Sequence, residues 1–196
     1  MLKDFFKVTS KINIPSVLIG GLALPAYDVV RTTIDIDLAI CVKKQAKLNK
    51  LVDLLAKNHI ETKQNPKMNH DLFTIFSKRN EAEDWLKPCD AFDWDKEMLK
   101  RIKKFKENYQ VLAIEDFIMT KLARADRTPV DHQDILQLLI INIDEIDWDY
   151  LHCRLDWIKM KDEFESIIDA FTLEVDSEFE NKAKRILKNY KNPVKD

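Results

Sequence analysis

The sequence predicts an α/β half over residues 1–110 followed by an all-helical half over 111–196, and three observations carry that division. Short apolar or alternating runs suited to strands, Val17-Leu18-Ile19, Ile34 to Val42 and Asp71 to Phe76, are confined to the first half, whereas beyond Val111 only helical spacing recurs. The chain holds only two glycines in 196 residues, and they are adjacent, Gly20 and Gly21. Glycine placed so selectively marks a backbone that must turn sharply or lie against something that leaves no room for a Cβ.

Taken in order, Leu2, Phe5 and Phe6 recur at helical spacing between lysines, and Asn13-Ile14-Pro15 stops the helix they predict. Val17-Leu18-Ile19 reads as a strand buried on both faces and ended by the glycine pair. Leu22 to Val29 is helix-compatible if Pro25 falls in the first turn, which puts the glycines just before a helix N-terminus. From Ile34, apolar residues alternate with Asp35 and Asp37, so both carboxylates project from one strand face. Lys43 to Asn58 forms an amphipathic helix with Leu48, Leu51, Val52, Leu54 and Leu55 as its stripe, and Ile60 to Thr62 adds a short strand. Asp71 to Phe76 is a stronger strand, followed by a charged turn at Lys78 to Asp84. A further strand runs from Trp85 to Phe92, held to an edge or strand start by Pro88, and Lys96 to Lys106 is a basic helix. Five helices follow, over 115–125, 130–141, 148–159, 161–171 and 177–190, with Trp148 and Trp157 as core anchors.

Composition excludes several classes. A hydrophobic content of 45% supplies a core without disulfides, and 32 basic against 34 acidic residues leave no global field drawing the chain to nucleic acid or membrane. Cys41, Cys89 and Cys153 are odd in number and far apart, so they define neither a disulfide framework nor a zinc site. The N-terminus lacks the apolar core of a signal peptide and no run is long enough to span a membrane, which predicts a cytoplasmic protein.

The chemistry lies in the combination of the two motifs. A glycine pair alone is usually a turn, and Asp-x-Asp alone is usually a solvated strand face. Together, with thirteen residues between Gly21 and Asp35, they place two carboxylates and a phosphate-accessible backbone after a buried strand. Two carboxylates aimed at one place repel unless a cation sits between them, and Mg²⁺ takes one or two carboxylates with phosphate and water completing its shell. Arg31 and Thr33 add a cation and a hydroxyl. The expected ligand is a nucleoside triphosphate such as ATP with Mg²⁺ or Mn²⁺, and Lys121 is a candidate to reach the triphosphate from the helical half.

The run Ile19-Gly20-Gly21 followed by Asp35-Ile36-Asp37-Leu38 resembles the signature of the DNA polymerase β-like nucleotidyltransferases. With Leu22, Ala23, Arg31 and Thr33, and with Glu115 to Leu122, Arg127, Asp131 and Asp134 in the helical half, it is similar to a bacterial subgroup related to abortive-infection and toxin–antitoxin nucleotidyltransferases. It departs from that subgroup at Asp28, where a glycine is common.

The resemblance implies a nucleotidyltransferase-type domain with a short mixed sheet flanked by helices, followed by a helical domain closing one side of a cleft. It implies metal-dependent transfer of a nucleoside monophosphate to an acceptor hydroxyl on a protein, a tRNA or a small molecule. Asp35 and Asp37 match the metal-binding positions. A third acidic residue, metal ligand and general base, is expected on a neighbouring strand; Asp90 suits the order best and Asp71 is the alternative. The other readings are a non-catalytic nucleotide binder of the same fold and a toxin–antitoxin component that binds a cognate antitoxin.

Overall fold

The computed structural model describes residues 1–106, 108–174 and 177–191; the predicted helical half beyond residue 191 lies outside them. The chain divides into two units, Met1–Ala26 with Val30–Ala113, and Tyr27–Val29 with Ile114–Asp196.

The first unit is built on a seven-stranded mixed sheet. Its strands are β1 (Ser16–Ile19), β2 (Asp37–Ile40), β3 (Glu61–Thr62), β4 (Leu72–Ser77), β5 (Asn80–Trp85), β6 (Lys103–Phe105) and β7 (Tyr109–Val111), in the order β3-β4-β5-β2-β1-β7-β6. β1 is antiparallel to β2 and parallel to β7, while β2 is parallel to β5. β4–β5 and β6–β7 are antiparallel hairpins. Side chains in register across neighbouring strands share a face, so Leu18, Leu38, Asp84 and Phe73 form one row and Ile19, Asp37 and Glu83 the next, pointing to the other face. Helix α1 (Leu2–Lys11) packs on β1 and on α3 (Gln45–Ala56). α1 buries Phe5, Phe6 and Val8, and α3 buries Leu48, Leu51 and Leu55, the stripe its spacing predicts.

Five local expectations change here. The helix after β1 begins at the glycines themselves: α2 is Gly20–Ala23, and Pro25 falls in the 3-10 turn Leu24–Tyr27. β2 starts at Asp37, leaving 28–36 without regular structure, although the Glu83 N–H donating to the Ile36 carbonyl at 2.9 Å carries the ladder one step further. The charged segment read as a turn is largely strand β5, and the predicted strand from Trp85 to Phe92 is mostly a loop closed by a Cys89–Phe92 bridge. The predicted basic helix ends at Lys100 (α4, Lys96–Lys100, capped by the Asp95 carboxylate), and the chain turns into β6.

The second unit contains helices α5 (Ile114–Leu122), α6 (Pro129–Ile141), α7 (Trp148–Ile158), α8 (Lys161–Glu174) and α9 (Ser177–Lys191). Each lies close to its sequence expectation because its caps are local. Thr128 and Asp131 form a reciprocal capping box with Pro129 in the first turn of α6, and the Asp147 carboxylate accepts the Tyr150 N–H at the start of α7. α5 is the unit's centre, with all nine residues buried. Tyr27 stacks on Phe117 at 5.0 Å between ring centroids, and its carbonyl accepts the Asn142 side-chain N–H at 2.9 Å, so three residues from the N-terminal segment belong to this unit. Trp157, expected as a core anchor, is 48% exposed and has the Arg154 guanidinium 4.4 Å from its ring.

Candidate active site

The glycine pair and the Asp-x-Asp motif meet at one end of the sheet. Ile19 and Asp37 are register partners on antiparallel strands, so the chain leaving β1 passes directly beside the residue that opens β2. Gly20 holds φ +61°, and a Cβ built there would lie 2.0 Å from Asp37 Oδ2 and 2.8 Å from its Cγ. A Cβ on Gly21 would lie 3.0 Å from Thr33 Cβ and Cγ2 and 3.2 Å from its Oγ1. The glycines are therefore the condition for the Asp37 carboxylate and the Thr33 side chain to rest against the backbone of α2.

Asp37 is half-buried, whereas Asp35 and Arg31 are exposed in the segment leading to it. Asp28, where the subgroup tends to have glycine, adopts φ +58°, a conformation that aspartate tolerates better than most side chains.

The two candidates for the third carboxylate lie at the other end of the sheet. Ala39 of β2 is level with Trp85 of β5, which is level with Leu72 of β4, so Asp71 falls beyond that row, away from Asp37. Its carbonyl accepts the Leu86 N–H at 2.8 Å, and its carboxylate faces Lys87 at 3.9 Å. Asp90 sits in the loop after β5, accepting the Cys89 thiol at 3.1 Å, and nearby Trp94 donates to the Ile40 carbonyl at 2.9 Å at the far end of β2. Neither residue is brought to Asp35 and Asp37.

The acid beside Asp37 is Glu83, its register partner on β5. It is exposed and shares the face of Asp37 at the spacing of neighbouring strands, about 4.8 Å. Sequence reasoning passed over it because β4 and β5 are joined through Lys78-Arg79, which lacks the glycine or asparagine that signals a tight hairpin, although Lys78 adopts φ +58°. Next to it, Asp84 points to the opposite face and is fully buried, with neither oxygen hydrogen-bonded; burial raises its carboxyl well above the ordinary range.

Lys121, the cation expected from the helical half, is enclosed within its own unit. It is 4% exposed and sits 2.7 Å from Asp134 and 3.6 Å from Asp131, both buried. Burial pushes the Asp131 carboxyl up, but the Thr128 hydrogen bonds and the Lys121 charge outweigh it and the net shift is downward. On the same helix, Asp116 pairs with Arg154 at 2.8 Å and accepts the Tyr150 hydroxyl.

Among the described residues no group of three or more His, Cys, Asp or Glu side chains is gathered tightly enough to form a protein-only metal cage. The donors at the Asp37 end are carboxylate and hydroxyl oxygens, which suits a hard cation completing its shell with phosphate and water. The residues present therefore fit magnesium or manganese.

The fold is that of a nucleotidyltransferase. The chain belongs to a family described as nucleotidyltransferases of unknown function (DUF6036), which it matches over residues 2–187. No curated protein matches it. Among solved structures it is similar to an H. pylori protein described as a nucleotidyltransferase, at 19% identity and a TM-score of 0.53, covering 100% of this chain and 95% of the other. It is also similar to the antibiotic-resistance factor ANT(2'')-Ia in solution, at 15% identity and a TM-score of 0.52, covering 87% of this chain and 92% of that one. At these identities the likeness is one of fold. Among the described residues no helix is long and apolar enough to cross a membrane.

Proposed function

We propose that the protein transfers a nucleoside monophosphate from a nucleoside triphosphate to an acceptor hydroxyl, using the Asp37 end of the sheet. The observation that supports this most directly is the contact at Gly20, where only a missing Cβ lets the Asp37 carboxylate lie against the turn out of β1. Asp35 and Asp37 are the residues that would hold Mg²⁺ or Mn²⁺, with Glu83 taking the third acidic position in place of Asp90 or Asp71. The bound cation supplies charge neutralisation on the triphosphate and the leaving pyrophosphate. Gly20 and Gly21 keep the backbone close, while Thr33 and Arg31 contribute a hydroxyl and a positive charge for the phosphates. Glu83, exposed beside Asp37, accepts the proton of the attacking hydroxyl. Lys121 is assigned instead to the ion pairs within its own unit.

The test is incubation with labelled nucleotides, Mg²⁺ or Mn²⁺ and total cellular protein, RNA and small molecules, following both label transfer and pyrophosphate release. Asp35→Ala/Asp37→Ala is expected to abolish both, and Glu83→Gln to reduce them by about 100-fold or more, the usual range for a general base. Asp90→Asn and Asp71→Asn are expected to stay within about twofold of the parent, as exposed positions outside the machinery do. Undiminished transfer by the double variant would overturn the reading, and loss in Asp90→Asn with none in Glu83→Gln would restore the sequence assignment. Nucleotide-dependent thermal stabilisation without pyrophosphate release would identify a binder that has lost turnover, and release of a co-purifying small protein would identify the toxin–antitoxin reading.

A further inference from the structure

The segment that carries Arg31, Thr33 and Asp35 has little packing of its own. Residues 28–36 lack regular structure, and two of their apolar side chains, Val30 and Ile34, are 89% and 91% exposed. A chain in that condition is held mainly by its fixed points, because ordering each backbone residue costs entropy that its own contacts do not return. Downstream these points are Thr33, set against Gly21, and Asp37, which opens β2.

Upstream, the fixed point lies in the helical unit, to which Tyr27–Val29 belong, while Val30 already belongs with the sheet. Tyr27 and Val29 are buried, and Asp28 between them turns the chain at φ +58°. What holds this point is Asn142, the residue that closes α6. Its buried side-chain amide donates to the Tyr27 carbonyl at 2.9 Å and to the Leu138 carbonyl at 3.1 Å. A carboxamide nitrogen has two hydrogens to give, so a single side chain joins the end of a helix to a segment 115 residues away in the chain.

We propose, resting on the transfer reading above, that Asn142 is a positioning residue for the triphosphate and metal site. By fixing the Tyr27 carbonyl it fixes the place from which residues 30–36 set out, and so holds Arg31 and Asp35 in position before a ligand arrives. Asn142 itself touches neither nucleotide nor metal. The consequence is a split between binding and turnover. If the segment is in place for only a tenth of the time, nucleotide binds about tenfold more weakly, yet the occupied site is as competent as before.

Asn142 also closes α6, and the test separates that role from positioning. The variants are Asn142→Ala, Thr128→Ala, which removes the capping box at the opposite end of α6, and the pair Val30→Gly and Val30→Ala. Glycine at 30 loosens the backbone between Val29 and Arg31, whereas alanine removes only an exposed side chain. Trypsin cleavage after Arg31, followed in the free protein well below its melting temperature, is expected to be about threefold faster or more in Asn142→Ala and Val30→Gly and unchanged in the other two. Equilibrium dialysis with each labelled nucleoside triphosphate and Mg²⁺ is expected to show affinity about tenfold weaker in Asn142→Ala and weaker in Val30→Gly, with pyrophosphate release at saturating nucleotide within about twofold of the parent. Equal weakening by Thr128→Ala or Val30→Ala, or parental affinity in a folded Asn142→Ala, would overturn the proposal. Should Asn142→Ala not fold, Val30→Gly decides, and parental affinity there would equally overturn it. Faster cleavage after Arg31 in a protein that binds no nucleotide would uphold the anchor and remove the transfer reading.

Discussion

At the residue scale, the decisive feature is the absence of one carbon at Gly20. Its φ of +61° already disfavours any L side chain, by about 1–2 kcal/mol, and a Cβ would stand 2.0 Å from the Asp37 carboxylate. Gly20→Ala is therefore expected to displace that carboxylate and to lower nucleotide turnover by about 100-fold, the cost of a shift near 1 Å in a reacting group. Gly21→Ala meets only the Thr33 side chain at 3.0 to 3.2 Å and should lose far less. Pyrophosphate release checks both, with a thermal melt showing that the variants fold, and equal activities in the two would refute the distinction. The glycines, Asp35 and Asp37 could be picked out in the sequence because rare residues at a fixed spacing stand out. Glu83 could not, because an acid within Asn80-Glu81-Ala82-Glu83-Asp84 looks like one more charge until pairing with β2 fixes its register.

At the scale of elements, α5 shows how a lysine that reads as a surface cation in sequence comes to be enclosed. Its nine residues are all buried, so the Lys121 ammonium needs compensation, and α6 supplies it through Asp131 and Asp134. Lys121→Met leaves two buried carboxylates without their cation and is expected to cost about 3–5 kcal/mol, read from urea unfolding. The affinity for nucleotide should stay unchanged; a tenfold weakening in a folded variant would instead support a role at the triphosphate. The helices of the second unit were legible because caps and apolar stripes are local. β6 and β7 were not, since three-residue strands carry almost no periodic signal and exist only through the pairing of β7 with β1 and of β6 with β7.

At the scale of the whole molecule, Asp84 introduces a pH dependence into folding. Its register neighbours are Leu38 and Phe73, neither oxygen is hydrogen-bonded, and burial is the cause of its raised pKa. Below the ordinary carboxylate pKa, about 3.9, the group is protonated in both folded and unfolded chains. Between that value and the raised folded pKa, the folded state holds a proton that the unfolded state has lost. Stability from this group is thus full at low pH and declines as pH rises through the folded pKa. Asp131, shifted downward, acts in the opposite sense, stabilising above the ordinary carboxylate range and losing that contribution on acidification. Asp84→Asn should remove that decline and be more stable than the parent above the folded pKa, by about 1–3 kcal/mol, the cost of a buried group left without a partner. Urea unfolding of both proteins at several pH values reads the difference, and a gap that is constant with pH would show that the carboxyl does not titrate in the folded state.

The sequence by itself determined the mixed α/β half and the helical half, the helices of the second unit, and the glycine and aspartate motifs that resemble those of nucleotidyltransferases. These follow from local propensity, apolar period and rare residues, which act over a few positions. Only the tertiary structure decided that Tyr27–Val29 belongs with the helices, that β7 keeps residues 109–111 in the sheet, that Lys121 is enclosed, and that Glu83 rather than Asp90 stands beside Asp37. Those outcomes depend on which strand pairs with which and in what register. A shift of one residue exchanges the faces of a strand, and no local pattern in this chain fixes it.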